Sequence, residues 1–148
     1  MARAKVKKKS TAARRAVKVR AKAAARRPAR GTRPAKPRTV RVRLMDIAIA
    51  RSGDKGADSN VGVMAKTPEL YEFLRKTLTP ARVKAHFREI CMGGVDRYEL
   101  PNLRALNFIL HDSLGGGGTE TQKTDAQGKV HGLAMLHMEL DVPAKLLR

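Results

Sequence analysis

The chain has 148 residues, with 32 Lys and Arg against 13 Asp and Glu, and a formal charge of +19. Residues 1–43 hold 18 of the basic residues and no acid, so the other 105 residues carry 14 basic and 13 acidic groups and are close to neutral. These figures exclude a uniformly basic nucleic-acid-binding domain, a membrane-spanning helix of roughly 20 apolar residues, and a disulfide-stapled fold, because Cys91 is the single cysteine.

Residues 1–39 are Ala, Lys, Arg and Pro with almost no large apolar side chain. Such a segment cannot bury enough surface to offset its ordering entropy, so it is expected to be a disordered basic tail. Pro28, Pro34 and Pro37 interrupt any helix there. No apolar segment follows the basic start, which argues against a secretory signal, and the single cysteine fits a cytoplasmic setting. Residues 40–148 make one small folded domain.

Within that domain Val40, Val42 and Leu44 alternate with Arg41 and Arg43, and Ile47 and Ile49 follow, which predicts one strand with a buried face. Residues 50–60, ARSGDKGADSN, are expected to form a loop, and Asn60–Ala65 a second strand. Thr67-Pro68-Glu69 and Thr79-Pro80 are helix starts with Thr as N-cap and Pro first in the helix. The stripes Leu70, Phe73, Leu74, Leu78 and Val83, Phe87, Ile90 follow them, and Gly93-Gly94 ends the second helix. Val95–Leu100 is a strand. In Leu103–Leu114 the residues Leu106, Phe108 and Leu110 alternate as in a strand, whereas Leu103, Leu106, Leu110 and Leu114 fit a helix capped by Asn102 and stopped by Gly115; the caps favour the helix. After the Gly115–Gly118 run, residues 119–124 and 130–142 are expected to pair as antiparallel strands turning at 125–128, with Leu136, Met138, Leu140 and Val142 facing the core. Together these elements predict an α+β two-layer sandwich, one sheet with helices on one face.

The 50–60 segment is the leading candidate site. Gly53 and Gly56 permit positive φ, so backbone N–H groups there can turn inward around an anion. Ser52, Lys55 and Arg51 add a hydroxyl and charge, and Asp54, Asp58 and Asn60 orient them or meet ligand hydroxyls. The alternative is a structural loop braced by Asp and Asn turn hydrogen bonds. A second group is Arg97 and Glu99, on one strand face with Tyr98 on the other, followed by Asn102, Arg104 and Asn107. It is either an acid–base pair with its surroundings or an ordinary ion pair with a helix cap; a buried Asn107 would need a hydrogen-bond partner. None of His86, His111, His131 and His137 has metal-ligand spacing and Cys91 is alone, so no metal site and no cofactor are expected. Asp54, Lys55 and His111 are the catalytic candidates. In the tail, Lys7, Lys8, Lys9, Arg14, Arg15, Arg26 and Arg27 can hold nucleic acid only non-specifically, because no aromatic is present to stack on a base.

The strings ARSGDKG, NVGV, PELYEFL, RYELPNLRALNFIL, LGGGG, DAQGK and MELDVP run in an order that resembles the AtuA-like family: the C-terminal ferredoxin-like domain of the acyclic terpene utilisation protein AtuA and its stand-alone relatives. The resemblance spans about Met45 to Pro143 and none of the tail. It implies a small ferredoxin-like sandwich and an accessory or co-catalytic subunit that docks on a larger AtuA-type protein of acyclic-terpene or branched acyl-CoA catabolism. It brings no assigned catalytic residues. Two alternatives stand beside it: a nucleic-acid-associated protein that binds through its tail, and a stand-alone acyl-CoA hydratase or lyase. A homo-oligomer through the sheet is also expected to be feasible, by analogy with the fold.

Overall fold

A computed structural model describes residues 38–148. The expected disorder of residues 1–39 and the seven Lys and Arg residues named as nucleic-acid contacts therefore fall, up to residue 37, outside the described residues. The described part is a mixed α/β domain with two antiparallel sheets. Strand β1 (Thr39–Arg43) leads to a one-turn helix α1 (Leu44–Ile47), then β2 (Ala48–Lys55), β3 (Asp58–Ala65), α2 (Pro68–Thr77), α3 (Pro80–His86), β4 (Val95–Leu100), β5 (Ala105–Leu110), α4 (His131–Leu136) and β6 (Glu139–Pro143). The larger sheet has the order β2-β3-β5-β4, and β1 pairs with β6 in a separate ribbon. Among the described residues no helix is long and apolar enough to cross a membrane.

Both Thr-Pro starts form as expected. Thr67 accepts the Leu70 N–H and Thr79 the Arg82 N–H, each at 3.2 Å, which satisfies a donor that the first helical turn otherwise leaves unpaired. Since β3 and β4 are both antiparallel to β5, they run parallel to each other. The α2–α3 pair is the crossover between them, and β5 returns through the gap. Alternate residues of the central strands, Val61, Val63 and Ala65 with Leu106, Phe108 and Leu110, are buried beneath Leu70, Leu74, Val83, Phe87 and Met135 from the helices.

Several expectations are corrected. The single strand over residues 40–49 is broken by α1, where the Asp46 carboxylate accepts the Arg43 N–H and the Leu44 N–H donates to the Met138 carbonyl; Leu44 and Ile47 are thus buried from one helical turn. Residues 50–60 are no loop but a hairpin, β2 and β3 joined by Gly56-Ala57. Gly56 lies at φ 67 while Gly53 has no positive φ, as a tight turn with glycine first requires. Residues 105–110 are a strand, not a helix, because β5 is the inner strand between β3 and β4 and its ladder bonds outweigh the helical stripe. Residues 119–124 are turn and irregular backbone, and 131–136, including Leu136, form α4 rather than strand, so only Glu139–Pro143 pairs, and with β1. The second helix closes at His86, short of Ile90. The domain consequently has two sheets rather than one.

Candidate functional site

The pleat of the larger sheet divides the sequence candidates by parity. One set of alternate residues packs against the helices. The other set, Ile49, Arg51, Gly53 and Lys55 from β2, Asp58, Asn60, Gly62 and Met64 from β3, Asn107 and Ile109 from β5, and Asp96, Tyr98 and Leu100 from β4, shares the face with no helix over it. The register sorts this open face into rows: Ile49-Met64-Ala105-Leu100 is apolar, and Arg51-Gly62-Asn107-Tyr98 is mixed. Ile49 is 55% exposed, Tyr98 53% and Leu100 42%, a concentration of large apolar side chains in water on one surface.

Arg51, Gly53, Lys55, Asp58, Asn60 and Asn107 from the sequence reading therefore share the open face. The Asn107 side-chain oxygen accepts from the Asn60 amide at 3.4 Å across neighbouring strands. Ser52, Asp54, Arg97 and Glu99 point to the other side. The Ser52 hydroxyl donates to the Gly128 carbonyl at 2.6 Å and accepts the Gly132 N–H at 2.7 Å, tying the segment before α4 to β2. Arg97 donates to the carbonyls of Arg75 and Leu78 at 2.8 and 3.2 Å and is paired with Glu99 at 2.8 Å, so it caps the end of α2. Gly56 serves the hairpin turn. Asn102 and Arg104 lie in the short β4–β5 connection, with Arg104 at φ 51.

At one end of the open face His111 is clamped between two acids. Its Nδ1 is 2.8 Å from Asp58 and its Nε2 is 3.0 Å from Asp96. A neutral imidazole can donate only once, so two flanking carboxylates favour the protonated ring. The hydrogen bonds to Asp96 and then Asp58 accordingly raise the His111 pKa. The Asp58 carboxyl is held below its usual range, first by the Asp112 N–H and then by His111. Lys55 and His111 share a row on either side of Asp58, while the Lys55 ammonium donates to the Asp54 carbonyl at 2.8 Å. Asp54 points to the opposite side of β2 from Lys55, and the Lys55 ammonium is turned to a backbone carbonyl, so Asp54, Lys55 and His111 are not gathered into one acid–base group. Among the described residues no group of three or more His, Cys, Asp or Glu side chains could hold a metal ion.

The sequence reading missed two features. The apolar members of the open face, Ile49, Met64 and Leu100, carried a signal only in their alternation with buried residues. A buried chain of Ser59, Ser113 and His131 carried none. Ser113 donates to the Leu110 carbonyl at 2.9 Å, Ser59 lies 2.8 Å from Ser113, and His131 Nδ1 lies 2.8 Å from Ser59. Ser113 has one proton, used on Leu110, so Ser59 donates to Ser113 and His131 Nδ1–H donates to Ser59. This is a serine–histidine pair in which histidine is the donor and not the base, and both serines are fully buried. Burial lowers the His131 pKa and keeps the ring neutral. Cys91 is likewise buried, with its thiol facing the carbonyls of Gly94 and His111, and burial raises its pKa. The Gly115–Gly118 run forms turns against the hairpin tip, where Leu114 N–H donates to the Ala57 carbonyl at 2.9 Å.

The family model described as the AtuA ferredoxin-like domain matches residues 42–141. Comparison with curated proteins and with solved structures finds no match.

Proposed function

The chain belongs to the AtuA ferredoxin-like domain family, and from that premise we propose that it is an accessory subunit whose open sheet face docks on a larger AtuA-type enzyme of acyclic-terpene or branched acyl-CoA catabolism. The supporting observation is that face itself. A packed domain hides its apolar strand faces, yet here Ile49, Met64, Tyr98 and Leu100 lie together in solvent beside Arg51 and Asn107. An apolar centre with an aromatic anchor and a polar border is the composition of a protein interface. The residues of the strings ARSGDKG, NVGV and RYELPNLRALNF that point outward converge there. Co-purification from the native cell tests the reading. Tagged wild-type chain retains a larger AtuA-type protein identified by mass spectrometry, and Met64→Glu with Tyr98→Asp weakens its retention at least tenfold. Equal retention by the double variant, or no such partner, refutes it.

A second reading rests on the charge division, with 18 basic and no acidic residues before residue 44. As a polycation that segment binds nucleic acid non-specifically, with steep salt dependence. A DNA titration of residues 38–148 against the full chain separates the two readings: equal binding removes the tail from the explanation. The stand-alone hydratase or lyase reading draws no support from Asp54, Lys55 and His111 as they are arranged.

A further inference from the structure

The order β2-β3-β5-β4 leaves one long side of β2 and one of β4 without a strand beside it. The two edges differ. The start of α4 is packed on the backbone of β2: the Gly132 N–H donates to the Ser52 hydroxyl, and a Cβ on Gly132 would stand 3.1 Å from the Arg51 carbonyl carbon. Along β4, among the described residues, no backbone hydrogen bond outside the β4–β5 ladder involves Val95–Leu100.

The direction of the unused groups follows from the ladder. The Ala65 N–H donates to the Arg104 carbonyl, and the His111 N–H to the Gly94 carbonyl. Successive residues of an antiparallel strand bond alternately to one neighbour and to the other, so Arg104 facing β3 and Gly94 facing β5 set the phase. Asp96, Tyr98 and Leu100 bond to β5, and Val95, Arg97 and Glu99 turn their N–H and C=O groups outward. The register with β5 is unbroken over 6 residues, and the strand VDRYEL holds no Pro, Gly or Lys to blunt its edge.

An edge of this kind accepts another strand, and its own sequence names the strand that fits. When two copies of β4 pair antiparallel with their open faces on one side, residues of the same parity lie opposite each other. A two-fold axis at Arg97 sets two guanidinium groups against each other, and an axis at Glu99 sets two carboxylates. An axis at Tyr98 sets Arg97 opposite the partner's Glu99, and Glu99 opposite the partner's Arg97. These are also the outward-facing residues, so each such pair exchanges both backbone bonds of the ladder. Tyr98, 53% exposed, meets the partner's Tyr98 at the closely spaced position. Val95 falls opposite the partner's Pro101, which has no N–H, so the ladder stops there.

We infer that the outer edge of β4 is the pairing site for a second copy of this chain, antiparallel about a two-fold axis at Tyr98. The sheet then runs β2-β3-β5-β4 and continues through the second copy in reverse order. This goes beyond the docking reading, because it uses the strand edge and leaves the open faces of both copies uncovered, side by side.

The test is sedimentation equilibrium of the full-length chain over a concentration series. Expected is a mass that rises from 16.3 kDa toward twice that value. Glu99→Pro removes an N–H that β5 does not use, so it should leave the circular dichroism of the fold intact and weaken the dimer at least tenfold. Arg97→Glu and Glu99→Arg each set like charges opposite each other and should each weaken self-pairing at least tenfold. Their equimolar mixture restores opposite charges throughout and should form a mixed dimer. Under mild oxidation Tyr98→Cys should cross-link two chains, because closely spaced antiparallel Cα atoms lie about 4.5 Å apart, within disulfide reach. Leu100→Cys, displaced from its counterpart by roughly 13 Å of strand, should not, and Cys91 is buried. The inference is overturned by a chain that stays at 16.3 kDa at every concentration, or by a dimer that Glu99→Pro leaves equally tight. It is also overturned by two folded charge variants that do not pair on mixing, or by Leu100→Cys cross-linking as fast as Tyr98→Cys. Glu99 lies off the open face, so retention of a larger partner by Glu99→Pro in the co-purification assay decides the docking proposal separately.

Discussion

Replacing Ser59 by alanine removes the middle link of the buried chain that runs from His131 through Ser59 and Ser113 to the Leu110 carbonyl. Both contacts of the Ser59 hydroxyl are 2.8 Å long, and Ser59 and Ser113 are fully buried. The variant leaves the His131 Nδ1–H without an acceptor, and a shift of the proton to Nε2 only exchanges an orphaned donor for an orphaned acceptor. An unsatisfied buried polar group costs about 1–3 kcal/mol, and the small cavity adds to this. At about 4 °C per kcal/mol for a domain of this size, Tm should fall by about 4–12 °C. Chemical denaturation of wild type and Ser59→Ala gives the same quantity independently. Nitrogen NMR of the imidazole ring reports the tautomer directly. A variant stable to within about 0.3 kcal/mol of wild type, or a wild-type ring carrying its proton on Nε2, would falsify the proton assignment. The same histidine sets a pH dependence. Its folded pKa is lowered by burial while the unfolded chain takes up the proton near 6.5, so His131's contribution is lost as pH falls through and below that value.

His111 works in the opposite direction: its folded pKa is raised by Asp96 and Asp58, so its stabilisation is complete below about 6.5 and disappears as pH rises through the folded value. His111→Asn should flatten that alkaline limb of the stability profile and leave the His131 limb intact, as denaturation midpoints across pH will show. Gly117→Ala should cost at least about 1–3 kcal/mol, because Gly117 lies at φ 88 and a Cβ there would stand 2.6 Å from the Gly56 carbonyl oxygen; thermal unfolding measures it. Arg97→Ala should lower stability by about 1–2 kcal/mol through the uncapped Arg75 and Leu78 carbonyls without affecting retention of the partner in the co-purification assay, because the side chain lies on the side of the sheet away from the open face.

The elements that could be read from sequence were those whose signals are local. The Thr-Pro pairs that open α2 and α3 carry their cap and first-turn geometry within four residues, and Val95–Leu100 is bounded by glycines and a proline. The β2–β3 hairpin was hidden because one of its faces meets no helix and can therefore be polar and glycine-containing: ARSGDKGADSN has the composition of a loop although it is almost entirely ladder. For β5 the residues Leu106 and Leu110 satisfy both periods, and only placement between β3 and β4 decides between them. Naming Arg51, Asn60 and Asn107 required no structure, but separating them from Ser52, Asp54, Arg97 and Glu99 required knowing that all lie on strands, because the pleat alternation then assigns each to a side. Ser59, Ser113 and His131 lie 72 residues apart at the extremes, and nothing local joins them.

The β1–β6 ribbon brings the first described strand alongside the last, and the ladder continues outward where the Ala144 N–H donates to the Arg38 carbonyl at 2.9 Å. The polypeptide thus enters and leaves this fold at a single seam. A module with adjoining ends can be spliced into a surface loop of a host protein, or closed head to tail and reopened elsewhere, without stretching its joints. Segments joined directly at Arg38 and at Ala144 would begin their paths as neighbours, held together rather than apart.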